Sequence, residues 1–453
     1  MSDGVDLLEL CRRVAASATG GEQIEAYAVR TNECDIEVFD GHVESLSVAG
    51  IEGVGVRVVA EGRQGFAWAG SLDEDVVRET VADARDNAQF AEPDEWNGLA
   101  TLADAESAPR VELDLWHESL AAIDTDRKVE LALALDAALR SADVRIRGVE
   151  SSSYGDGAIE SALANSNGVE ASVRRTVASA SASAMAGDGD DTQTGYGFSV
   201  GRDFEAIDLD EIVTMAVERT IRLLGAKPVP SRRIPVVLDP LVTSSLLGVL
   251  SAAFNAESML KGRSLFQDRV GDQVAATAVQ IVDDPTTPAM MGSSPHDAEG
   301  VPCRANRLVA DGVLQGFLHN TYTARRAGTT TTGSASRGGY KSTPGVGIKA
   351  LSFAPGDQSP TEILATAGEA LYVQSVSGIH SGTNPISGDF SVGASGLIVR
   401  DGAFAEPVRE VTIASTLPRM LTGIVAIGND LTYLPGSTAG LTLLIDDMTL
   451  SGT

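Results

Sequence analysis

The chain has five histidines, His42, His117, His296, His319 and His380, and no two lie within twenty positions of each other. A zinc helix of the His-Glu-x-x-His kind needs two imidazoles on one face and a glutamate that activates the metal-bound water. "WHESL" at His117 offers His-Glu with no second histidine. A site built from distant residues such as His296, His319 and His380 with an acid remains open. "GSASRGGYKST" (333–343) has two glycines at phosphate-loop spacing, but Gly339 and Tyr340 displace the lysine, and no apolar strand runs into it. No Gly-x-Ser-x-Gly elbow is present.

Two stretches hold more. "HNTYTARRAG" (319–328) gathers His319, Tyr322, Arg325 and Arg326 just after a strand. Paired arginines in so acidic a chain could grip a peptide carboxylate or backbone carbonyls, or be used up in internal salt bridges. "DPLVTSSLLGVLSAAFNAESMLKGRS" (239–264) reads as a helix, with Asp239 as cap, Pro240 in the first turn and Gly262 at the end. It has apolar positions at Val242, Leu246, Val249, Leu250 and Phe254, and a single acid, Glu257. It carries no histidine and no cysteine.

These segments need a scaffold, and the chain has 453 residues to build one, enough for two or three domains. With 43% hydrophobic residues and a net charge of −29, it is an acidic protein with a real core. The acids are dispersed, and lysine is confined to positions 128, 227, 261, 341 and 349. Such a surface suits a salty cytoplasm, where ions screen self-repulsion, and argues against nucleic acid or an anionic membrane as partner. Cys11, Cys34 and Cys303 form no metal or redox motif. The opening segment has a helical apolar period (Leu7, Leu8, Cys11, Val14, Ala15) rather than a leader's apolar run, and no stretch is long and apolar enough to span a bilayer. A cytoplasmic location is expected.

The fold class expected is α+β: strand-rich N-terminal modules with closing helices, then a larger, mostly antiparallel C-terminal domain. Asp-Gly pairs at 40–41, 311–312 and 401–402 and Asn167-Gly168 sit between strand-like runs and predict hairpins. "QGFAWAGSLDEDVVRETVADARDNA" and "GYGFSVGRDFEAIDLDEIVTMAVERTIRLL" share an order: a Gly-aromatic strand, an acidic start, a helix. That weak repeat predicts two related modules, residues 1–90 and 111–225, joined by a polar linker. "GAKPVPSRRIP" marks the boundary before a domain at 230–453. "GTTTTGSASRGG" (328–339) is expected to be a mobile loop of the kind that forms lids, and "SPTEILATAGEAL" a helix capped by Ser359 or Thr361.

The order "SSPHDAEGVPCRANRLVADGVLQGFLHNTYTARRAG", "TTGSASRGG", "TNPISGDFSVGASGLIVRDGAFAEPV", "AIGNDL" resembles the TldD/PmbA family, and "GHVESLSVAGIEGVGVRVVAEGRQGFA" is similar to that family's first module. The resemblance spans nearly the whole chain. It implies a heterodimeric zinc metallopeptidase acting on unfolded peptides. In that assembly the TldD kind of subunit holds zinc through His-Glu-x-x-x-His on a helix after the strand that opens the C-terminal domain, and through a cysteine near the C-terminus. The PmbA kind, also called TldE, lacks these ligands. After "PVVLD" this chain has "LLGVLSAAFNAES", and after "GNDL" it has no cysteine. The resemblance therefore implies a PmbA/TldE-like subunit with no catalytic residue and no metal of its own, zinc lying in a TldD-like partner. His319, Tyr322, Arg325, Arg326, Asn384 and Asp389 are its candidates for peptide or partner contact. The competing expectations are a self-sufficient metallopeptidase with atypical ligands and a non-enzymatic, peptide-binding homodimer.

Overall fold

The computed structural model describes residues 5–453; the first four residues of the expected first module lie outside the described residues. Helix α1 (Leu7–Ala15) is capped by Asp6, whose carboxylate accepts the Leu8 and Glu9 amides. It is followed by β1 (Gln23–Phe39), β2 (His42–Ala60), β3 (Arg63–Ala69) and α2 (Glu74–Phe90). The same succession returns as α3 (Thr125–Ser141), β4 (Ile146–Asn165), β5 (Glu170–Ala186), β6 (Gln193–Gly201) and α4 (Leu209–Ile221). The β1–β2 turn has φ of 51° at Asp40 and 77° at Gly41, left-handed values that the Asp-Gly pair supplies cheaply.

The repeat predicted from sequence is real, and it has a consequence beyond two modules in a row. All six strands form one sheet in the order β3-β2-β1-β4-β5-β6, with β1 and β4 antiparallel at its centre from Glu25↔Asn165 to Val38↔Ser152. Along β5 the alternation of alanine and serine separates the faces. Ala178, Ala180, Ala182 and Ala184 are buried in a cluster with residues of α3 and α4, while the intervening serines face the other way. Each closing helix rests on a glycine of the strand before it. A Cβ on Gly65 would lie 2.0 Å from the Ala84 carbonyl oxygen of α2, and one on Gly197 would lie 2.1 Å from the Ile212 carbonyl oxygen of α4.

The C-terminal domain is a barrel. Strands β7 (Arg232–Leu238), β8 (Ala370–Ser377), β9 (Asp389–Arg400), β10 (Ala403–Thr416), β11 (Ile424–Ile427) and β12 (Leu443–Ser451) run in the order β10-β9-β8-β7-β12-β11, and β10 also pairs with β12 to close the ring. Pairing is antiparallel except between β7 and β8. The barrel's inner side chains, including Val236, Leu238, Val373, Ile413 and Ile445, share one core with the 239–264 segment. That segment is not a single helix. It is α5 (Pro240–Leu250), a 3-10 turn (Ser251–Phe254) and, after a break, α6 (Ala256–Leu260). Asn255 leaves the helical conformation and caps α6 by accepting the Glu257 and Ser258 amides. Ser359, not Thr361, caps the Pro360–Ala367 helix, in a reciprocal box with Glu362.

Residues 328–339 are not the mobile loop that their composition suggests. Thr331, Ser334 and Ala335 are at most 1% exposed, and the Thr331 and Thr332 hydroxyls bond to the His319 carbonyl. The polar side chains find partners inside the domain, so the segment is stitched down; residues 328–330 are exposed. No helix of the described residues is long and apolar enough to cross a membrane.

Candidate functional site

Two stretches far apart in sequence meet at α5. Asp239 caps the helix through the Leu241 amide at 2.9 Å, and its other oxygen is held by Arg219 at 2.7 Å and the Tyr372 hydroxyl at 2.6 Å. Against the first turn lies the segment that follows "GNDL". Gly440 sits so close that a Cβ would come 1.8 Å from the Pro240 carbonyl oxygen, and Thr438 Oγ1 is 2.6 Å from Ser244 Oγ. The two regions where the resemblance places zinc ligands are thus neighbours in space. The residues at their junction do not fit zinc, which takes imidazole, thiolate or carboxylate. Here stand a hydroxyl pair, alkyl groups and a glycine backbone, and the carboxylate at the helix start is already held by three donors. Among the described residues no three His, Cys, Asp or Glu side chains are grouped so that they could hold a metal ion. Glu257 pairs with Lys261 at 2.5 Å on the exposed face of α6.

The predicted contact residues fall into two places. Helix α7 (Thr321–Ala327) is capped by a reciprocal Asn320–Thr323 box and stopped by Gly328 at φ 67°. His319, just before it, is buried, and its Nδ1 has no partner; burial lowers its pKa. Tyr322 donates its hydroxyl to Asp94 at 2.8 Å, and Arg326 donates to Tyr322 at 3.2 Å. Arg325 grips carbonyls of its own chain, those of Leu99 at 2.6 Å, Gly98 at 3.0 Å and Trp96 at 3.4 Å. Tyr322 and Arg326 line a cavity of about 290 Å³ beside Asp94, Asn97 and Arg57, whereas Arg325 is engaged in holding the linker. Replacing Arg325 with alanine strands three carbonyls. Charge-assisted bonds contribute about 1.5–3 kcal/mol each. The expected result is cleavage of the 91–110 segment about tenfold faster in limited proteolysis, with little change in R325K. Asn384 and Asp389 are elsewhere, in the turn that enters β9. Asn384 accepts the Ile386 and Ser387 amides at 2.9 and 3.1 Å, and Asp389 accepts the Ser387 hydroxyl at 2.6 Å.

A buried charge network between the sheet and the C-terminal domain did not emerge from the sequence. Arg57 Nη2 lies 2.8 Å from Glu25 and 3.3 Å from Glu299; Arg337 Nη2 lies 2.8 Å from Glu25; Glu299 also accepts the Thr321 amide and hydroxyl at 2.9 and 2.8 Å. Burial pushes the Glu25 carboxyl up, but Arg57 and Arg337 outweigh it and its pKa ends below the usual range. Asp297 is raised to about 7 by burial and then by Glu299. The signal was present in a charge set in each of two apolar strand runs, "QIEAYAV" and "GVGVRVVA".

Comparison with known proteins fits this architecture. Residues 24–88, 118–224 and 231–452 match the PmbA/TldA metallopeptidase domain 1, central domain and C-terminal domain. Metalloprotease PmbA of Escherichia coli O157:H7 is 29% identical over 430 residues, covering 94% of this chain and 92% of that protein. A crystal structure of a Thermotoga maritima protein proposed as a modulator of a DNA gyrase superposes with a TM-score of 0.90 at 26% identity, covering 98% of this chain and 99% of the other. TldE from Thermococcus kodakarensis shares the fold, with a TM-score of 0.87 at 21% identity and coverage of 98% and 99%. With its three domains matched from strand β1 to strand β12, the chain belongs to the PmbA/TldD metallopeptidase family.

Proposed function

We propose that this chain is the PmbA/TldE-like, zinc-free subunit of a two-subunit metallopeptidase, and that a TldD-like partner supplies the zinc and the activated water. The observation that carries the reading is the junction of α5 with Thr438–Gly440. It brings together the two regions where zinc ligands are expected and fills them with Ser244, Thr438 and glycine backbone. The helix keeps its caps and its buried face, so it retains a structural task without the donors. The substrate on this reading is an unfolded or flexible peptide, which a strand-rich wall can hold by main-chain hydrogen bonds. The cytoplasm and a salt-adapted surface complete the proposal, with neither nucleic acid nor membrane as a partner.

Co-expression with the TldD-like chain of the same organism, assayed at high salt, is the test. Co-purification in a defined ratio, zinc that follows the partner, and cleavage of an unfolded peptide only by the pair are expected. About one zinc per chain in this protein alone, with peptidase activity lost on substitution of His296, His319 or His380, would overturn it. So would a self-associated chain that takes up no TldD-like partner.

A further inference from the structure

A second cavity, of about 390 Å³, lies between the β4–β5 face of the sheet and C-terminal segments around residues 291–298, 336–337, 348–349 and 435–437. Its lining reverses the balance of the chain. Overall, 34 Lys and Arg face 63 Asp and Glu, yet the charged side chains around this space are Arg175, Arg202, Arg337 and Lys349 against the single acid Asp297.

The local accounts show which of these cations are committed. Arg337 is paired with Glu25 and also donates to the Ala298 carbonyl at 2.5 Å. Arg202 is held by carbonyls, donating to Met290 at 2.7 Å, Pro288 at 3.1 Å and Thr176 at 3.4 Å, which fixes its position without compensating its charge. The half-buried Arg175 and Lys349 side chains have no hydrogen-bond or ion-pair partner among the described residues. Asp297 is a poor counter-charge. Its oxygens accept the Glu299, Val301 and Ala335 amides at 2.9, 3.0 and 2.9 Å, and burial and then the charge of Glu299 raise its pKa, disfavouring the charged form. Burial, and then the charge of Arg175, push Arg202 down to about 10. Four cations around one space with Asp297 as the only lining acid leave an excess of positive charge, which is costly, and a bound anion would offset that cost.

The rest of the lining narrows the ligand. Tyr27, Ile159, Val173 and Val177 from the sheet and Met291 and Ile348 from the opposite wall are apolar or aromatic. A bare inorganic anion would leave that surface unused. A guanidinium fork and an ammonium lining one cavity suit a planar carboxylate, and the volume leaves room for a few side chains besides.

We propose that this cavity binds a carboxylate carried on an apolar body, gripped by Arg175 and Lys349, with the C-terminal end of a peptide as the ligand of that class. The peptide form of the proposal rests on the reading of the chain as a peptidase subunit; carboxylate recognition does not, and it needs neither partner nor zinc.

The test uses the purified full chain alone, so failure to pair with a TldD-like subunit cannot mask the result. Calorimetric titration with N-acetyl-valyl-leucine should give one saturable site. Its C-terminal amide and inorganic phosphate should each bind about tenfold more weakly or worse, the scale of one lost charge-assisted contact. R175M and K349M should each weaken the acid about tenfold, R175K should recover part of the loss, and circular dichroism of the variants should match the parent. Absence of saturable binding at millimolar acid would overturn the proposal. So would equal binding of acid and amide, tighter binding of phosphate, or affinities unchanged in R175M and K349M.

Discussion

Replacing Arg57 with methionine should be among the most damaging single changes in this protein, costing about 3–5 kcal/mol, the usual range when one partner of a buried ion pair is removed. Arg57 is 5% exposed, and the carboxylates it joins, Glu25 and Glu299, are 1% and 0% exposed. In R57M, Glu25 retains Arg337, and Glu299 retains the Thr321 amide and hydroxyl. The cluster of two acids and two arginines nevertheless goes from balanced to singly negative while its side chains stay buried. The double variant E25Q/R57M, with the balance restored, should recover much of the loss. Denaturant unfolding followed by tryptophan fluorescence is a suitable measurement, since Trp68, Trp96 and Trp116 all lie in the N-terminal half or its linker. A loss under about 1 kcal/mol would mean that the network is bypassed by relaxation or water entry. The pH dependence has a definite sign. Glu25 has a lowered pKa in the folded protein, so its contribution is present above its ordinary value of 4.5 and is lost as pH falls through the folded value. The deficit of R57M relative to the parent should therefore shrink as pH drops below about 4.5.

The second large effect is expected at the glycines beneath the closing helices. In G197A the new methyl would stand 2.1 Å from the Ile212 carbonyl oxygen and 2.9 Å from the Ala216 nitrogen; in G65A it would stand 2.0 Å from the Ala84 oxygen and 2.4 Å from the Ala88 nitrogen. These neighbours are helix backbone, which cannot rotate aside as a side chain can. The helix must lift from the sheet and loosen its core contacts, at a cost of about 3 kcal/mol or more, the upper end of overpacking. The two variants should behave alike, because the two halves repeat one design. Gly248 is the control. It is exposed within α5 and nothing lies within 4 Å of a Cβ there, so G248A should stabilise by about 0.5–1 kcal/mol. Thermal unfolding of all three variants separates steric cost from a general intolerance of alanine.

What could be read in advance follows from the range of each signal. Caps, Asp-Gly turns and the apolar period of α1 are written within a few residues and place those elements well, as the Asp239 cap does the start of α5; the break at Asn255 that ends the expected 239–264 helix early was not foreseen. The repeat was visible because glycine and the following aromatic recur at Gly65-Phe66 and Gly197-Phe198, and the structure supplies the reason: only glycine fits under the helix. The fusion of the two halves into one sheet was not visible. The pairing of β1 with β4 is fixed by an edge-to-edge match across the whole first module and linker, and nothing near either strand announces it. Composition misled at 328–339, where Thr, Ser and Gly are anchored by distant partners. The sequence left the two arginines of the 319–328 stretch open between gripping a peptide and internal salt bridges; in the structure Arg325 holds carbonyls of its own linker and Arg326 donates to the Tyr322 hydroxyl, an outcome that depends on where residues 96–99 run. At the candidate site, the absence of ligand-type side chains in each stretch could be read from sequence. That the two stretches touch could not.

The central β1–β4 pairing also sets a timetable for the molecule's birth. As the chain is synthesised, β1 to β3 and α2 emerge early and can form three strands and a helix, but the long inner edge of β1 then waits for the linker, α3 and β4 before it is covered. During that interval an open row of backbone donors and acceptors is available to any extended segment nearby, including the same edge on a neighbouring nascent chain. The barrel repeats the problem at larger scale, since β7 is flanked by β8 and β12 and cannot be enclosed until the end of the chain has been made. A protein whose two six-stranded sheets are both completed by late strands should fold slowly, and its yield should depend more on the rate of translation and on chaperone supply than its native contacts alone would suggest.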